Sequence, residues 1–188
     1  MTQTAIRRTD QASSVHPQLA EVGGSMITAT AAKALAVLRI STGFVFLLAF
    51  LDKTFGLHYA TSSAKAWING GHPTQGFLSS VEIGPFQSLF HSIAGTWWAD
   101  WLFMLGLLGI GLALTFGIGM RFAAAAGALL YVMMWSVVLP PENNPFMDDH
   151  LVYALVLVLL ALTSAGRTFG LGRRWEQLPV VQRYGFLK

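Results

Sequence analysis

Residues Trp97 to Ile118 read WWADWLFMLGLLGIGLALTFGI, and from Leu102 onward none of them carries a charge. At about 1.5 Å per helical residue such a stretch is roughly 30 Å long, the thickness of the hydrocarbon core of a bilayer. Three more stretches share its character, from about Lys33 to Lys53, Arg121 to Leu139 and Asp149 to Ala165. The last is short but adequate with little tilt. Backbone N–H and C=O groups find no water in lipid, so these stretches fold as helices and not as open strands. The expectation is an all-α integral membrane protein, a four-helix bundle over residues 33–166. A flexible tail over 1–32 precedes it and a basic tail over 167–188 follows.

Composition agrees. Of 188 residues, 54% are hydrophobic and 11% charged, where soluble domains carry about 25% charged residues. The charges are also segregated into tails and loops, as the cost of about 2.5–3.5 kcal/mol for a charge at the bilayer centre requires. A formal charge of +3 is too small and too scattered for a nucleic-acid partner. The absence of cysteine excludes a disulfide relay, a thiolate metal site and a cysteine nucleophile. Before Ala34 the chain is polar and lacks the apolar core of a signal peptide.

Orientation follows from the basic residues. Arg7, Arg8, Lys33, Arg121, Arg167, Arg173, Arg174, Arg183 and Lys188 fall on one side of the four spans. The other side has only Lys53 and Lys65, with Asp52, Glu82, Glu142, Asp148 and Asp149. The positive-inside rule puts the first group, and both termini, in the cytoplasm. Abundant Ala, Gly and Arg are the composition of a GC-rich bacterium, so the expected location is a bacterial cytoplasmic (inner) membrane. Trp97, Trp98 and Trp101 then fit an aromatic belt at the outer interface.

The outer loop from Lys53 to Gly95 is too long to lack structure. Phe86, Leu89, Phe90 and Ile93 recur at helical spacing between Gly84-Pro85 and Gly95, which predicts a short interfacial helix. Gly70-Gly71-His72-Pro73 marks a turn between two such pieces. The loop is either a cap or a lid. Rows of small residues, Gly106, Gly109, Ala113 and Gly117 on the second helix and Ala123 and Gly127 on the third, predict close helix packing.

Polar residues inside the spans need a reason. Arg39 lies about two turns into the first span, as a functional group or one reaching back to headgroups. Arg39, Thr42, Phe46, Ala49 and Lys53 form a seam at steps of three and four, the side that faces other helices. Arg39 and Lys53 are about 21 Å apart along it, so each needs its own partner. Asp52 and Lys53 end that helix on the outside. Asp148, Asp149 and His150 enter the fourth helix, where acids suit the positive helix end and Asp148 fits an N-cap. Tyr153 follows His150 by three positions and Asp149 by four, so a carboxylate, an imidazole and a phenol share one face. Tyr131 and Trp135, one turn apart on the third helix, either extend this pocket inward or pack in the core. No histidine pair shows the i, i+4 spacing of a helical metal site, and neither metal nor haem is expected.

Three segments resemble the DoxX family, small four-helix membrane proteins that include the DoxD-like small subunit of thiosulfate:quinone oxidoreductase. Arg39-Ile40-Ser41-Thr42-Gly43-Phe44-Val45-Phe46 is similar to the family's first helix, and Leu51-Asp52-Lys53-Thr54-Phe55-Gly56 to its outer end. Asn144 to Leu155, containing Asp148-Asp149-His150, is similar to the last loop and helix. One position departs: Phe50 stands where many relatives have Gly.

The resemblance implies a membrane subunit of a quinone-linked oxidoreductase, acting on thiosulfate or another small reductant. Lys53, His150 and Tyr153 are then the candidate donors to the quinone oxygens. Asp149, Asp148 and Asp52 exchange protons with outer water, and Arg39, Asp52, Tyr131 and Trp135 line the quinone. The alternative is a non-catalytic membrane anchor or assembly partner, docking a soluble or membrane subunit. A small transporter is the third reading, disfavoured by the lack of internal repeats. The bilayer is the one certain partner, and a homo-oligomer is left open.

Overall fold

A computed structural model describes residues 19–22, 25–141 and 144–188. Arg7, Arg8, Glu142 and most of the expected N-terminal tail lie outside the described residues. Strands β1 (Leu19–Val22) and β2 (Ser25–Thr28) pair antiparallel and lead into α1 (Ala29–Phe55). That helix starts one turn before the expected Lys33 because Thr28 caps it, its hydroxyl accepting from Ala31 N–H at 3.2 Å. It ends at Gly56, whose φ of 67° lets its N–H reach Asp52 O at 2.7 Å.

The outer loop holds two short 3-10 turns, Ser63–Lys65 and Trp67–Asn69, and helices α2 (Gln75–Ser79) and α3 (Gln87–Ile93). Helix α3 is the segment that the spacing predicts. Its Phe90 is buried, with Ile93 packed beside it against Val81 and Val137, while Phe86 and Leu89 are exposed. At the predicted turn, a Cβ on Gly71 would lie 2.0 Å from Lys65 O, so only glycine fits.

Helices α4 (Trp97–Phe116), α5 (Met120–Val137) and α6 (Asp149–Leu162) follow. Helices α1, α4 and α5 are long and apolar enough to cross a membrane; α6, with 14 residues, is shorter. Helix α1 packs along α4, α5 along α6, and α4 against α5. Phe46, Met104, Leu107, Leu114, Leu157 and Leu160 fill the centre. Outward-facing positions are apolar too, including Phe44, Leu102, Leu129, Leu155 and Leu162. An apolar exterior over whole helices means that the solvent there is lipid.

Of the glycines expected at close contacts, Gly117 and Gly127 are at them, and Gly106 and Gly109 are not. A Cβ on Gly106 or Gly109 would meet nothing within 4 Å, so these face outward. The contact is made by Gly43, whose Cβ would lie 2.7 Å from Thr115 Oγ1, and Gly111, whose Cβ would lie 2.8 Å from Leu47. Gly127 does meet its expectation, since a Cβ there would lie 2.6 Å from Leu157.

After α6 the chain forms a 3-10 turn (Ala165–Arg167) and helices α7 (Gly172–Glu176) and α8 (Pro179–Arg183). The stretch expected as a basic tail is therefore folded against the bundle. Leu171 N–H donates to Phe116 O at 2.8 Å, and Arg121 N–H to Lys188 O at 2.9 Å. The Arg167 guanidinium pairs with Glu176 at 2.6 Å. That hydrogen bond, against some loss of solvation, raises the Arg167 pKa above its ordinary value, so its charge is permanent.

Candidate functional site

The expected site residues separate into three places. Arg39 has 0% exposure, so it neither reaches the headgroups nor lines a quinone slot. Its Nη1 donates to Leu114 O and to Thr115 O at 2.9 Å. Its Nη2 donates to Phe169 O at 2.9 Å and Thr168 O at 3.3 Å. A helix leaves its last four carbonyls without intrahelical partners. In α4 all four are taken: Gly117 and Ile118 N–H reach Ala113 O, Gly117 N–H and Arg39 reach Leu114 O, Arg39 reaches Thr115 O and Leu171 N–H reaches Phe116 O. Those carbonyls are the negative end of the α4 dipole, so a buried cation is favoured there. Arg39 is a staple between α1, α4 and the turn after α6.

Asp52 is likewise tied into the fold. It is 3% exposed, and its carboxylate accepts from Tyr59 N–H at 3.1 Å and Ala60 N–H at 3.0 Å. This ties the start of the outer loop to α1. Lys53 turns towards α4, with Nζ 5.8 Å from the Phe103 ring centroid, a cation–π contact.

Trp135 also departs from its expected role. Its Nε1 donates to Phe146 O at 2.8 Å and its ring lies 5.0 Å from that of Phe146. It pins the loop before α6.

The third place does bring predicted residues together. Tyr131 is buried among the rings of Phe46 at 5.2 Å, Tyr153 at 5.5 Å and His150 at 6.2 Å. Asp148 caps α6, its Oδ1 accepting from Leu151 N–H at 3.2 Å. Its Oδ2 lies 2.6 Å from His150 Nδ1, which places the proton on Nδ1 and leaves Nε2 for another partner. Tyr153 is 46% exposed on the outward side of α6, hence open to lipid, and Asp149 is exposed. Tyr131 stands six residues before the end of α5, about 9 Å below it. The cluster thus sits at membrane depth. Ligand atoms of Asp148, Asp149 and His150 lie within 4.8 Å of one another; Asp148 caps α6 with one oxygen and orients His150 with the other.

Lys53 is not part of this cluster. Its ammonium faces Phe103 of α4, the helix that packs along α1, and none of the ring contacts of the cluster involves it. A cavity lies at the opposite, Arg-rich end, and neither Lys53 nor His150 lines it.

Sequence reading passed over Asp100. It is 2% exposed in the first turn of α4, accepting from Thr74 N–H at 2.9 Å and Thr74 Oγ1 at 2.6 Å and pairing with His72 Nδ1 at 2.8 Å. Thr74 Oγ1 in turn accepts from Gly95 N–H at 3.1 Å. A lone acid among three tryptophans was the available signal. Asp52 thus holds the start of the outer loop at Tyr59 and Ala60, and Asp100 holds its middle at His72 and Thr74.

No curated protein and no solved structure matches the chain. The DoxX family profile matches residues 34–140, which takes in α1, the outer loop, α4 and α5 and stops before the Asp148–His150 entry to α6. With more than half of its length matched, and with apolar helices that meet lipid, the chain belongs to the DoxX family of membrane proteins.

Proposed function

We propose that this chain is the membrane subunit of a quinone-linked oxidoreductase whose quinone site is the His150–Tyr153–Tyr131 face. One observation carries the reading: a carboxylate-oriented imidazole and two phenols meet at membrane depth, beside an α6 face open to lipid. A quinone partitions into lipid, so an entrance at Tyr153 is the side from which it would arrive. The donor set fits its chemistry, because the head needs polar groups at its oxygens and an apolar wall for its ring. Phe46 and Tyr131 supply that wall.

A quinone, when bound, supplies two-electron chemistry that takes up or gives off two protons. The protein's part is to hold and move those protons. Asp148 keeps the imidazole of His150 in one orientation, with Nε2 free to accept a proton from, or as an imidazolium donate one to, an oxygen of the head. Tyr153 adds a phenol hydrogen bond, and exposed Asp149 links the site to the water beyond α6. The electrons come from a small reductant, thiosulfate being the one that the family resemblance suggests, or from a partner subunit. The assembly reading has its own support in the outer loop, held by Asp52 and Asp100, a platform on which another subunit would dock.

Mass spectrometry of lipid extracted from the purified protein tests the proposal. Wild-type protein should carry quinone, with retention falling about tenfold or more in His150→Ala and Tyr153→Leu, the scale of one lost hydrogen bond to a charged or polar partner. Lys53→Ala should retain it. Quinone absent from wild type, or held equally by His150→Ala, would sink the redox reading and leave assembly.

A further inference from the structure

A cavity of about 260 Å³ lies at the Arg-rich end, between the α4–α5 turn and the folded C-terminal segment. Its wall includes Arg121, Arg167, Lys188, Ser164, Trp175 and Glu176. The volume is several times that of a water molecule, about 30 Å³, and approaches the roughly 300 Å³ lower end of small-ligand pockets. Arg121, Arg167 and Lys188 are the lining residues with cationic side chains, and Glu176, the lining residue with an anionic one, is already paired. Glu176 takes Nε and Nη2 of Arg167, leaving Nη1. Arg121 spends Nη1 on Gly185 O at 2.9 Å, leaving Nη2 and Nε. Guanidinium groups with spare N–H donors in a walled space match a phosphate. The first turn of α5 has no acid and no side-chain cap, and its Arg121 N–H is taken by Lys188 O, so the guanidinium groups are the donors left to a ligand.

Depth chooses between sources of phosphate. The cavity sits where α4 ends and α5 begins, which is where the helices leave the apolar layer. Next to its lining residues in sequence, Phe122 is 64% exposed and Leu162 is 71% exposed. Apolar side chains therefore stand beside a cationic recess, as a lipid with a charged head and hydrocarbon tails requires. We propose that this cavity binds the phosphate headgroup of an anionic phospholipid in the leaflet at the Arg-rich end. The site locks the C-terminal segment to the α4–α5 turn, because Arg121 holds both that segment and the head. The inference rests on the membrane fold and is independent of the quinone site.

Native mass spectrometry of the full chain in neutral detergent tests it, with phosphatidylglycerol, phosphatidylcholine and inorganic phosphate as probes. Wild type should prefer phosphatidylglycerol over phosphatidylcholine. Arg121→Gln should weaken that binding roughly tenfold, the loss of one charge-assisted contact. Arg174→Gln removes an equal charge from an exposed site outside the cavity and should bind as wild type does. Equal weakening in both variants would show diffuse surface charge and overturn the site. Equal binding of inorganic phosphate would overturn the lipid as its source, and no lipid preference would overturn both. If Arg121→Gln does not fold, Lys188→Gln stands in for it with the same two outcomes.

Discussion

Arg39 places a permanent positive charge where water does not reach, and among the described residues no carboxylate pairs with it. Backbone carbonyls balance it instead, four of them from two segments. Removing the side chain would leave Thr115 O without a partner and open the turn after α6. Arg39→Ala should cost about 2–4 kcal/mol, since each buried carbonyl left without a donor costs about 1–3 kcal/mol, read as a fall in Tm in detergent. Arg39→Lys should recover only part of that, because one ammonium cannot reach the two pairs that the planar fork spans. Full recovery by Lys would show that charge alone matters and would refute the staple. The position of Arg39 in the first span was plain from the sequence, but its role was not. Its acceptors are main-chain oxygens 75 and more residues away, and every residue has such an oxygen. Asp100 was missed for a related reason: an acid in a first turn already suits the helix dipole, which hides a tertiary contact. That His150 and Tyr153 share a face was legible because spacing along α6 fixes it, whereas Tyr131, on α5, joins them through helix packing that the sequence left open.

At the scale of the helix, the lesson concerns α4. Its glycines at 106 and 109 look like a contact row, yet the packing side is that of Gly111, opposite Leu47 and Gly43 of α1. Apolar residues occupy every face of a membrane helix, so periodicity sets its existence and ends but not its rotation. The partner helix chooses the rotation, here through Leu47 and Thr115 pressing on positions without a Cβ. Gly109→Ala adds a methyl to open space and should leave stability unchanged or raise it by up to about 1 kcal/mol, the propensity difference. Gly111→Ala forces its methyl into Leu47 side chain at 2.8 Å and backbone N at 3.1 Å, and should cost about 1–3 kcal/mol. Thermal melts of the two variants in one detergent compare them directly. Equal effects would mean that α4 is rotated from the arrangement described.

For the molecule as a whole, the helix ends sort the charges. Arg121 meets the C-terminal segment, Arg167 pairs with Glu176, and Arg39 closes the same end, so Arg173, Arg174 and Arg183 cluster there too. The opposite end holds Asp52, Asp100, Asp148 and Asp149 with Lys53 and Lys65. Basic residues next to short connections hold their end on the cytoplasmic side during insertion, so the Arg-rich end should be cytoplasmic and the clamped loop outside. The chain has no cysteine, which allows each end to be marked by a single one. Ser62 and Gln182 are exposed on opposite ends and uncharged, so their replacement leaves the charge balance intact. In intact cells, Ser62→Cys should react with a membrane-impermeant maleimide, and Gln182→Cys should react only after permeabilisation. The reverse pattern would place His150 and Tyr153 nearer the cytoplasm, and any proton released there would go to the cell interior. Labelling of both in intact cells would mean that the chain does not adopt one orientation, and no charge argument for its topology would stand.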